Sequence, residues 1–324
     1  MVEQLLSSKA NSSVKKYVSQ YRCFSVYLKS KGVILVLPCD SLLVSEYLSY
    51  LNETKRSYAV VLSAFCALKW VHDLIPHGAQ GNPVDTALNH NLVQASKRMF
   101  SRPVNKKEPI TPDMIRRICV KFAQEGSNLS GLRTALLFVL GFNGLFRINE
   151  LLDLQASDVL VHDDHLEINV RSSKTDQFRQ GNKVFIAKRG GVTCPHSLLS
   201  RYFSAASIDL NSSAYIFRTL QPHRKDGSYT LGPRRLSYTR CRELVKESLL
   251  AIGINSVSYS THSLRSGGAT FIANNLAKSG SSDRLLMLHG RWKSESAKNM
   301  YVKDSLDSRL QLTKLFPTFD IEEM

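Results

Sequence analysis

The chain has 324 residues, 43% of them hydrophobic and 22% charged, a composition that is ordinary for a globular protein and leaves room for two domains with separate cores. The formal net charge of +16 favours a polyanionic partner, nucleic acid first, because lysine and arginine neutralise phosphates and release counterions. The longest apolar run, Ala135–Leu140, is far shorter than the roughly 20 residues of a membrane span. No secretory leader is recognisable, and the cysteines lack paired spacing, which favours a reducing, intracellular location.

The front part of the chain carries apolar residues at intervals of three and four, the periodicity of amphipathic helices. Residues 102–110 are polar, basic and flanked by prolines, which is typical of a linker. The predicted domains are therefore an all-helical one at 1–101 and a second at 111–324 with a tail at 302–324. The front helices are predicted at Ser12–Lys31 with Ser12 or Ser13 as cap, from Asp40 to about Leu51, at Ser57–Ile75, and after Pro83 with Leu88, Leu92 and Val93 inward.

The second domain mixes helices with short strands, so the predicted fold class is mainly α with a small antiparallel β-sheet (α+β). Thr111 and Pro112 stand where a helix cap and a first-turn proline belong. Alternating apolar residues predict the strands. The predicted strands are Val159–His162, His165–Arg171 and Lys183–Ala187, and the predicted helices include Leu132–Phe142, Pro195–Ala205, Arg234–Ile252 and a weakly amphipathic segment at 306–316.

Two candidate cations lie early in the second domain. Arg147 follows a glycine turn at the start of a helix, where an arginine is well placed to bind an anion. Glu150, one turn further on, could orient Arg147, although an ordinary surface ion pair explains the spacing equally well. Lys174 falls at the tip of the hairpin between the second and third strands, where a lysine is usually just solvated.

The stretch 260–301 contains the residues of a phosphate-binding site. His262 and Arg265 are three positions apart, so both lie on one face of the first turn of a helix. Trp292 follows later, and Tyr301 stands nine positions beyond it. A turn and a new helix start at Glu295 separate them, which predicts that the tyrosine lies on a short helix.

The chain resembles the tyrosine recombinase (phage integrase) family in the order and spacing of six residues: Arg147, Lys174, His262, Arg265, Trp292 and Tyr301. The resemblance covers about Thr111 to Tyr301, and the helical front is similar in kind to the family's core-binding (SAM-like) DNA-binding domain. The amino-acid sequences of residues 172–181 and 290–294 most resemble those of recombinases of eukaryotic mobile elements of the Crypton and DIRS kind.

Two positions need a choice or depart from the family pattern. His289 precedes Gly290 and resembles a Gly-His element, but the family residue lies nine before the tyrosine, which selects Trp292, a residue type that Cre carries there; His289 is then a supporting or packing group. Leu145 and Phe146 put two residues between Gly144 and the arginine where many bacterial members have one. The spacing from Arg147 to Glu150 is nevertheless kept.

The resemblance implies a site-specific DNA recombinase or integrase whose nucleophile is Tyr301. Arg147, Arg265, His262 and Trp292 would stabilise charge on the phosphate, and Lys174, with Lys183 as a fallback, would protonate the leaving 5′ oxygen. The product would be a 3′-phosphotyrosyl link, with no metal or other cofactor. Two alternatives stay open: a retired, domesticated DNA-binding protein, and a type IB topoisomerase-like enzyme.

The partner implied is double-stranded DNA, with self-association to a dimer on one site and a tetramer at synapsis, in the nucleus if the source is eukaryotic and otherwise in the cytoplasm. A metal site is not expected, because 162–165 and 194–196 hold ligand types without paired zinc spacing. The predicted DNA contacts are Lys97, Arg98, Arg102, Lys106, Lys107, Arg179, Arg291 and Lys293.

Overall fold

A computed structural model describes residues 2–76, 81–102, 105–171, 181–223, 228–276, 280–314 and 316. The chain divides into two compact units, Met1–Asn105 and Lys106–Met324, and the division falls within the stretch predicted as a linker. No helix in these ranges is long and apolar enough to cross a membrane.

The secondary-structure elements described in the first unit are all helices, and the four predicted helices are confirmed as the second to fifth of them. Asp40 begins one of them as predicted, because its carboxylate accepts a hydrogen bond from the backbone N–H of Leu42 at 2.8 Å. Phe24 and Leu48 are fully buried in the core. The elements are α1 (Val2–Ser7), α2 (Asn11–Ser30), α3 (Ser41–Glu53), α4 (Tyr58–Asp73) and α5 (Ala87–Phe100).

Two details of the front helices differ from prediction. Helix α2 begins at Asn11, with Ala10 rather than a serine at its cap position. Leu88 is 49% exposed rather than inward, because Asn89 occupies the buried position beside it. The Asn89 side chain donates to the carbonyl of Val84 at 3.0 Å and accepts from the Ser45 hydroxyl at 2.8 Å. These polar contacts turn Asn89, and not Leu88, toward the core. The spacing of apolar residues alone does not predict this orientation of the helix.

The second unit is built around one almost wholly buried helix, the apolar segment that is too short for a membrane span. Every residue of Ala135–Leu140 is fully buried in it. The elements are α6 (Pro112–Phe122), α7 (Leu129–Asn143), α8 (Ile148–Leu152), β1 (Val159–Val161), β2 (His165–Val170), β3 (Asn182–Ala187), α9 (Pro195–Ala205), β4 (Arg218–Pro222), β5 (Tyr229–Arg235), α10 (Tyr238–Ala251), α11 (His262–Ala273), α12 (Asp283–Gly290), α13 (Glu295–Asn299) and α14 (Leu306–Thr313).

The strands form two small antiparallel sheets, so the mainly α, α+β fold class is confirmed. Strands β1, β2 and β3 pair in chain order, and β2 buries Leu166, Ile168 and Val170 as its alternation predicts. Strands β4 and β5 pair in a separate two-stranded sheet that was not predicted from the sequence.

That sheet also corrects the predicted helix at 234–252. Arg234 and Arg235 belong to β5, and the helix begins only at Tyr238, after Ser237 accepts from the backbone N–H of Arg240 at 3.1 Å. Leu236 is buried as predicted, but its N–H donates to the carbonyl of Phe217 at 2.9 Å, so it continues the sheet edge and is not helical.

Two adjacent glycines let α11 approach the rest of the unit closely. A Cβ added to Gly268 would lie 2.0 Å from the carbonyl oxygen of Phe142, and one added to Gly267 would lie 2.1 Å from that of Ile110. Real side-chain atoms do not approach so closely, so both positions accept only glycine without a backbone shift. The close approach fixes α11, and with it His262 and Arg265, against the end of α7.

We therefore expect Gly268→Ala to lower the free energy of unfolding by about 1–3 kcal/mol, the usual cost of overpacking. Helix propensity acts in the opposite direction, since alanine gains up to ~1 kcal/mol over glycine within a helix. Urea unfolding measures the difference. Gly190→Ala is the matched control, because an added Cβ there meets nothing within 4 Å; equal stability of the two variants would contradict the packing argument.

Candidate active site

Arg147 and Glu150 form a partly buried pair at the start of α8. The backbone N–H of Arg147 donates to Glu150 Oε2 at 2.9 Å, and its guanidinium Nη1 donates to Glu150 Oε1 at 2.6 Å. The Glu150 side chain is only 4% exposed and that of Arg147 17%, which rules out an ordinary surface ion pair. Glu150 therefore orients Arg147, which is one of the two interpretations that the sequence left open.

Glu150 stays ionised because guanidinium groups surround it. Burial alone would raise its pKa, but the charge of Arg291 and the hydrogen bonds and charge of Arg147 outweigh it and hold the pKa below its usual value. Arg291 Nη2 donates to Glu150 Oε2 at 3.0 Å, and Arg265 Nη1 lies 4.0 Å from the same oxygen. One carboxylate therefore connects three arginines.

Arg265 lies at the centre of the site and is completely buried. Its Nη1 donates to the carbonyl of Leu145 and its Nη2 to that of Gly290, the latter at 2.5 Å. Burial, together with the charges of Arg147 and Arg291, lowers the pKa of its guanidinium. A guanidinium has five N–H donors, so these two hydrogen bonds leave others for a ligand.

Two aromatic rings lie against this arginine, and the His262 ring lies beside one of them. The guanidinium carbon of Arg265 lies 4.6 Å from the ring centroid of Trp292 and 4.9 Å from that of Tyr301, which are cation–π distances. The Tyr301 centroid is 5.7 Å from that of Trp292 and 6.3 Å from that of His262. Five of the six predicted catalytic residues thus come together, with Arg147 connected through Glu150.

Tyr301 is held by the helix that carries His262 and Arg265. Its backbone carbonyl accepts hydrogen bonds from the hydroxyls of Ser266 at 2.5 Å and Thr270 at 3.3 Å. Neither residue was predicted from the sequence, although their spacing of four places them on one face of α11. The prediction that Tyr301 lies on a helix was wrong, because α13 ends at Asn299 and the tyrosine follows in a turn.

The two residues that competed for the donor position have different surroundings. Trp292 is 6% exposed, and its indole Nε1 is buried with no hydrogen-bond partner among the described residues. His289 Nε2 lies 2.7 Å from the carbonyl of Asn143, and burial lowers the pKa of its imidazole, with the charge of Arg291 adding to that effect. His289 therefore packs against the end of α7, while Trp292 lines the space around Arg265 and Tyr301.

Arg291 corrects one predicted DNA contact. Its side chain is 3% exposed and donates to Glu150 and to backbone carbonyls, so it does not face solvent. The physical reason is its backbone, which adopts a left-handed conformation with φ of 56° and turns the side chain into the unit. The neighbouring Lys293 is exposed, as a DNA contact requires.

The remaining predicted DNA contacts are exposed where they are described. Lys97, Arg98 and Arg102 lie in the first unit. In the second unit, Lys107 Nζ donates to the carbonyl of Val257 at 2.7 Å and Lys106 Nζ to that of Asn299 at 3.5 Å. Arg179 and the catalytic candidate Lys174 lie outside the described residues.

A basic cleft of about 310 Å³ opens beside Tyr301. Lys303, one of its lining residues, pairs with Glu108 at 2.5 Å, and Ser266 forms part of the wall. The cations that line the cleft are Lys106, Lys107, Lys303 and Arg309. Two carboxylates, Glu108 and Asp304, also line it, so cations outnumber anions by four to two, an excess that suits a polyanion approaching the tyrosine.

The strands beside the Lys174 segment are described and well anchored. Arg171, at the end of β2, pairs with Asp158 and donates to the Ser157 hydroxyl at 3.0 Å. Lys183, the fallback for Lys174, is an exposed residue of β3 whose Nζ lies 2.7 Å from Glu167 Oε1. Lys183 is therefore already paired with a carboxylate on the neighbouring strand.

One group among the described residues has metal-ligand types within reach of each other. Ligand atoms of His162, His165 and Glu167 lie within 4.8 Å of one another. However, the two imidazole rings stack at 4.3 Å with only 13° between their planes, so their in-plane lone pairs cannot converge on one ion. Glu167 also pairs with Lys183, and both His165 and Glu167 belong to strand β2.

The sequence is similar to that of a bacterial recombinase. No protein-family model matches the chain. It is 26% identical over 303 residues to an integrase/recombinase XerD homologue from Selenomonas ruminantium, covering 93% of this chain and 84% of that protein.

Solved structures show the same fold. XerH site-specific recombinase bound to its palindromic difH substrate, in a post-cleavage complex, superposes with a TM-score of 0.60 at 15% identity, covering 93% of this chain and 78% of that one. A lambda integrase dimer bound to a core site gives a TM-score of 0.56 at 17% identity over 99% and 96% of the two chains. The chain therefore has the fold of these site-specific recombinases and integrases.

Proposed function

We propose that this protein is a site-specific DNA recombinase that cleaves and rejoins DNA through a covalent 3′-phosphotyrosyl intermediate at Tyr301. The observation that carries the proposal is the convergence of Tyr301, Arg265, Trp292 and His262, with Arg147 joined to them through Glu150. The similarity to an integrase/recombinase over most of the chain supports the same function.

In the proposed mechanism, Tyr301 Oη attacks the scissile phosphorus and the 5′ oxygen of the next nucleotide leaves. Attack builds negative charge on the non-bridging oxygens, which fixed guanidiniums stabilise without reorganisation. Arg265 is the central group, because it is buried beside the Tyr301 ring and retains N–H donors.

Trp292 would donate from its indole Nε1 to a phosphate oxygen. A buried N–H without a partner costs about 1–3 kcal/mol, so an acceptor in the DNA complex recovers this energy. His262 is exposed at the N-terminus of α11, within reach of a group that approaches the Tyr301 ring. In this mechanism side-chain donors stabilise the charge on the phosphate, so no metal ion is required. Rejoining requires no nucleotide, because the bond energy is kept in the phosphotyrosyl link.

The DNA partner and the element type follow from the same proposal. The basic cleft beside Tyr301 and the exposed lysines of both units provide phosphate contacts. We further propose that the recombinase acts as a dimer on each site and a tetramer at synapsis, and that it belongs to a mobile element of the Crypton or DIRS kind. The Gly290–Ser294 and 172–181 segments support the last point.

Capture of covalent DNA from a random pool tests this function whatever the target sequence is. A pool of nicked duplexes with a randomised central region is incubated with the protein in EDTA, and protein-linked DNA is recovered under denaturing conditions and sequenced. A recurring sequence attached through its 3′ end supports the proposal and supplies the substrate for later measurements. No recovered adduct, or an adduct only with added metal, overturns it; supercoil relaxation without strand exchange would instead indicate a topoisomerase.

Lys174 provides an independent test of general acid catalysis. We expect Lys174→Ala to slow cleavage of an ordinary duplex by about 10²–10⁴-fold, the usual contribution of a positioned proton donor. A 5′-bridging phosphorothiolate should restore the rate, because a thiol of pKa about 8.5 leaves as an anion without protonation. Lys183→Ala, measured on both substrates, is the control; loss of cleavage in that variant with the same sulfur rescue would move the role to Lys183.

A further inference from the structure

We infer that Arg291 is a positioning residue for the cleavage reaction, acting on Arg147 through Glu150 and through the turn that precedes it. The inference rests on the proposed function and adds a residue to it. Arg291 is buried and faces the unit's interior, so its role differs from contact with DNA.

The Arg291 guanidinium bridges two segments that are far apart in sequence. Its Nη1 donates to the carbonyls of Gly144 at 3.2 Å and His289 at 2.9 Å. Its Nη2 donates to the carbonyl of Leu145 at 2.9 Å and to Glu150 Oε2 at 3.0 Å. One side chain thus ties the segment before Trp292 to the segment that carries Arg147.

The turn before Arg147 depends on these donors. Leu145 has a positive φ of 46°, an unfavourable conformation for a residue with a branched side chain. Its carbonyl accepts from both Arg265 Nη1 and Arg291 Nη2, and charge-assisted hydrogen bonds of this kind are the strong ones. Arg291 therefore helps hold the strained turn from which the Arg147 helix starts.

Glu150 transmits the effect to Arg147. Its Oε2 accepts from Arg291 Nη2 and from the Arg147 backbone, while its Oε1 accepts from the Arg147 guanidinium. Without Arg291, the carboxylate loses a partner, and Arg265, 4.0 Å away, becomes its nearest replacement. That rearrangement would draw Arg265 from its place beside Tyr301 and release Arg147.

The backbone of Arg291 allows a selective substitution. Its φ of 56° and ψ of 40° suit glycine, so Arg291→Gly removes the guanidinium while keeping the backbone conformation favourable. Arg291→Lys keeps a charge but cannot reproduce the fork of donors. Glu150→Gln removes the charge of the intermediary at nearly constant shape. Arg116→Ala removes an exposed arginine that pairs with Asp113 on the surface, and it controls for the lost charge.

Single-turnover cleavage at saturating DNA, DNA affinity and thermal unfolding are measured for each variant on the captured substrate. We expect Arg291→Gly to remain folded, to bind DNA within about 3-fold of wild type, and to cleave ~10–100-fold more slowly, the usual effect of removing a group that orients an active-site residue. Arg291→Lys should recover part of the rate. The double variant Glu150→Gln/Arg291→Gly should lose less than the product of the two single losses, because the two residues share the path through Glu150 while Arg291 also acts on the Leu145 turn.

Three results would overturn the inference: near wild-type cleavage by Arg291→Gly, a loss no greater than the loss of folded protein, or full additivity with Glu150→Gln. If the wild-type chain forms no Tyr301 adduct, the proposed function fails separately. The positioning role is then decided by ¹⁵N NMR of the Arg147 side chain, whose guanidinium rotation should be slow in wild type and faster in Arg291→Gly. Unchanged rotation would overturn it.

Discussion

Tyr301→Phe should abolish covalent attachment to DNA, with adduct formation reduced by more than about 10³-fold, because the substitution removes the attacking oxygen. Folding and DNA binding should be kept. The ring packs near Arg265, Trp292 and His262, and phenylalanine retains these contacts. The Tyr301 backbone carbonyl likewise keeps its hydrogen bonds from Ser266 and Thr270.

Denaturing gels of protein incubated with the captured suicide duplex measure this result. Tyr229→Phe, in strand β5, is the matched control for loss of a phenol hydroxyl and should form the adduct at the wild-type rate. A persistent adduct in Tyr301→Phe would show that another residue is the nucleophile. Loss of DNA binding in parallel with loss of the adduct would show that the substitution disturbs the fold.

Substitution of Arg265 should have the second largest effect, on the cleavage step and much less on DNA affinity. Among the described residues, the Arg265 guanidinium is the one cation that makes cation–π contacts with both Trp292 and Tyr301. Stabilisation of transition-state charge by such an arginine is worth about 10³–10⁵-fold in rate. DNA affinity depends on many phosphate contacts, so the loss of one should weaken binding by only ~10-fold.

Two variants separate catalysis from folding. Arg265→Ala also removes the donors to the carbonyls of Leu145 and Gly290, and it should be less stable. Arg265→Lys keeps a positive charge near these carbonyls, so we expect this variant to fold. Its cleavage should nevertheless be slower than that of wild type by about 10²-fold or more, because an ammonium lacks the planar fork of donors. Single-turnover rates and DNA titrations measure both quantities. Equal losses of cleavage and binding in Arg265→Lys would assign this arginine to binding alone.

Local rules predicted the parts of the fold that depend on neighbouring residues. Helix α9 begins at Pro195 and ends at Ala205 as predicted, since a first-turn proline and apolar periodicity define it. Thr111 caps α6 by accepting from the backbone N–H of Met114 at 3.2 Å. The short strands β4 and β5 were not predicted. Arg234 and Arg235 fit the pattern of the following helix, and the pairing of Arg235 with Arg218 of β4 exists only in three dimensions.

The candidate site shows the same division. The spacing of Arg147 and Glu150, and of His262 and Arg265, placed these residues on single helix turns. The burial of Arg291 was not predictable, because it depends on a left-handed backbone and on carbonyls of Gly144 and Leu145 that are distant in sequence. From the sequence alone, a basic residue between Gly290 and Trp292 is expected to be exposed, because the carbonyls that accept its hydrogen bonds are not recognisable.

The central claim is that Tyr301 itself becomes bonded to DNA, and peptide mapping of the captured adduct tests it most directly. Nuclease treatment followed by trypsin should leave the peptide Asn299–Lys303, which lies between two lysine cleavage sites, carrying a 3′-linked nucleotide phosphate on its tyrosine. Fragmentation by mass spectrometry locates the modified residue. We expect the mass shift on Tyr301; a nucleotide on any other residue, or a 5′ linkage, would contradict the central claim.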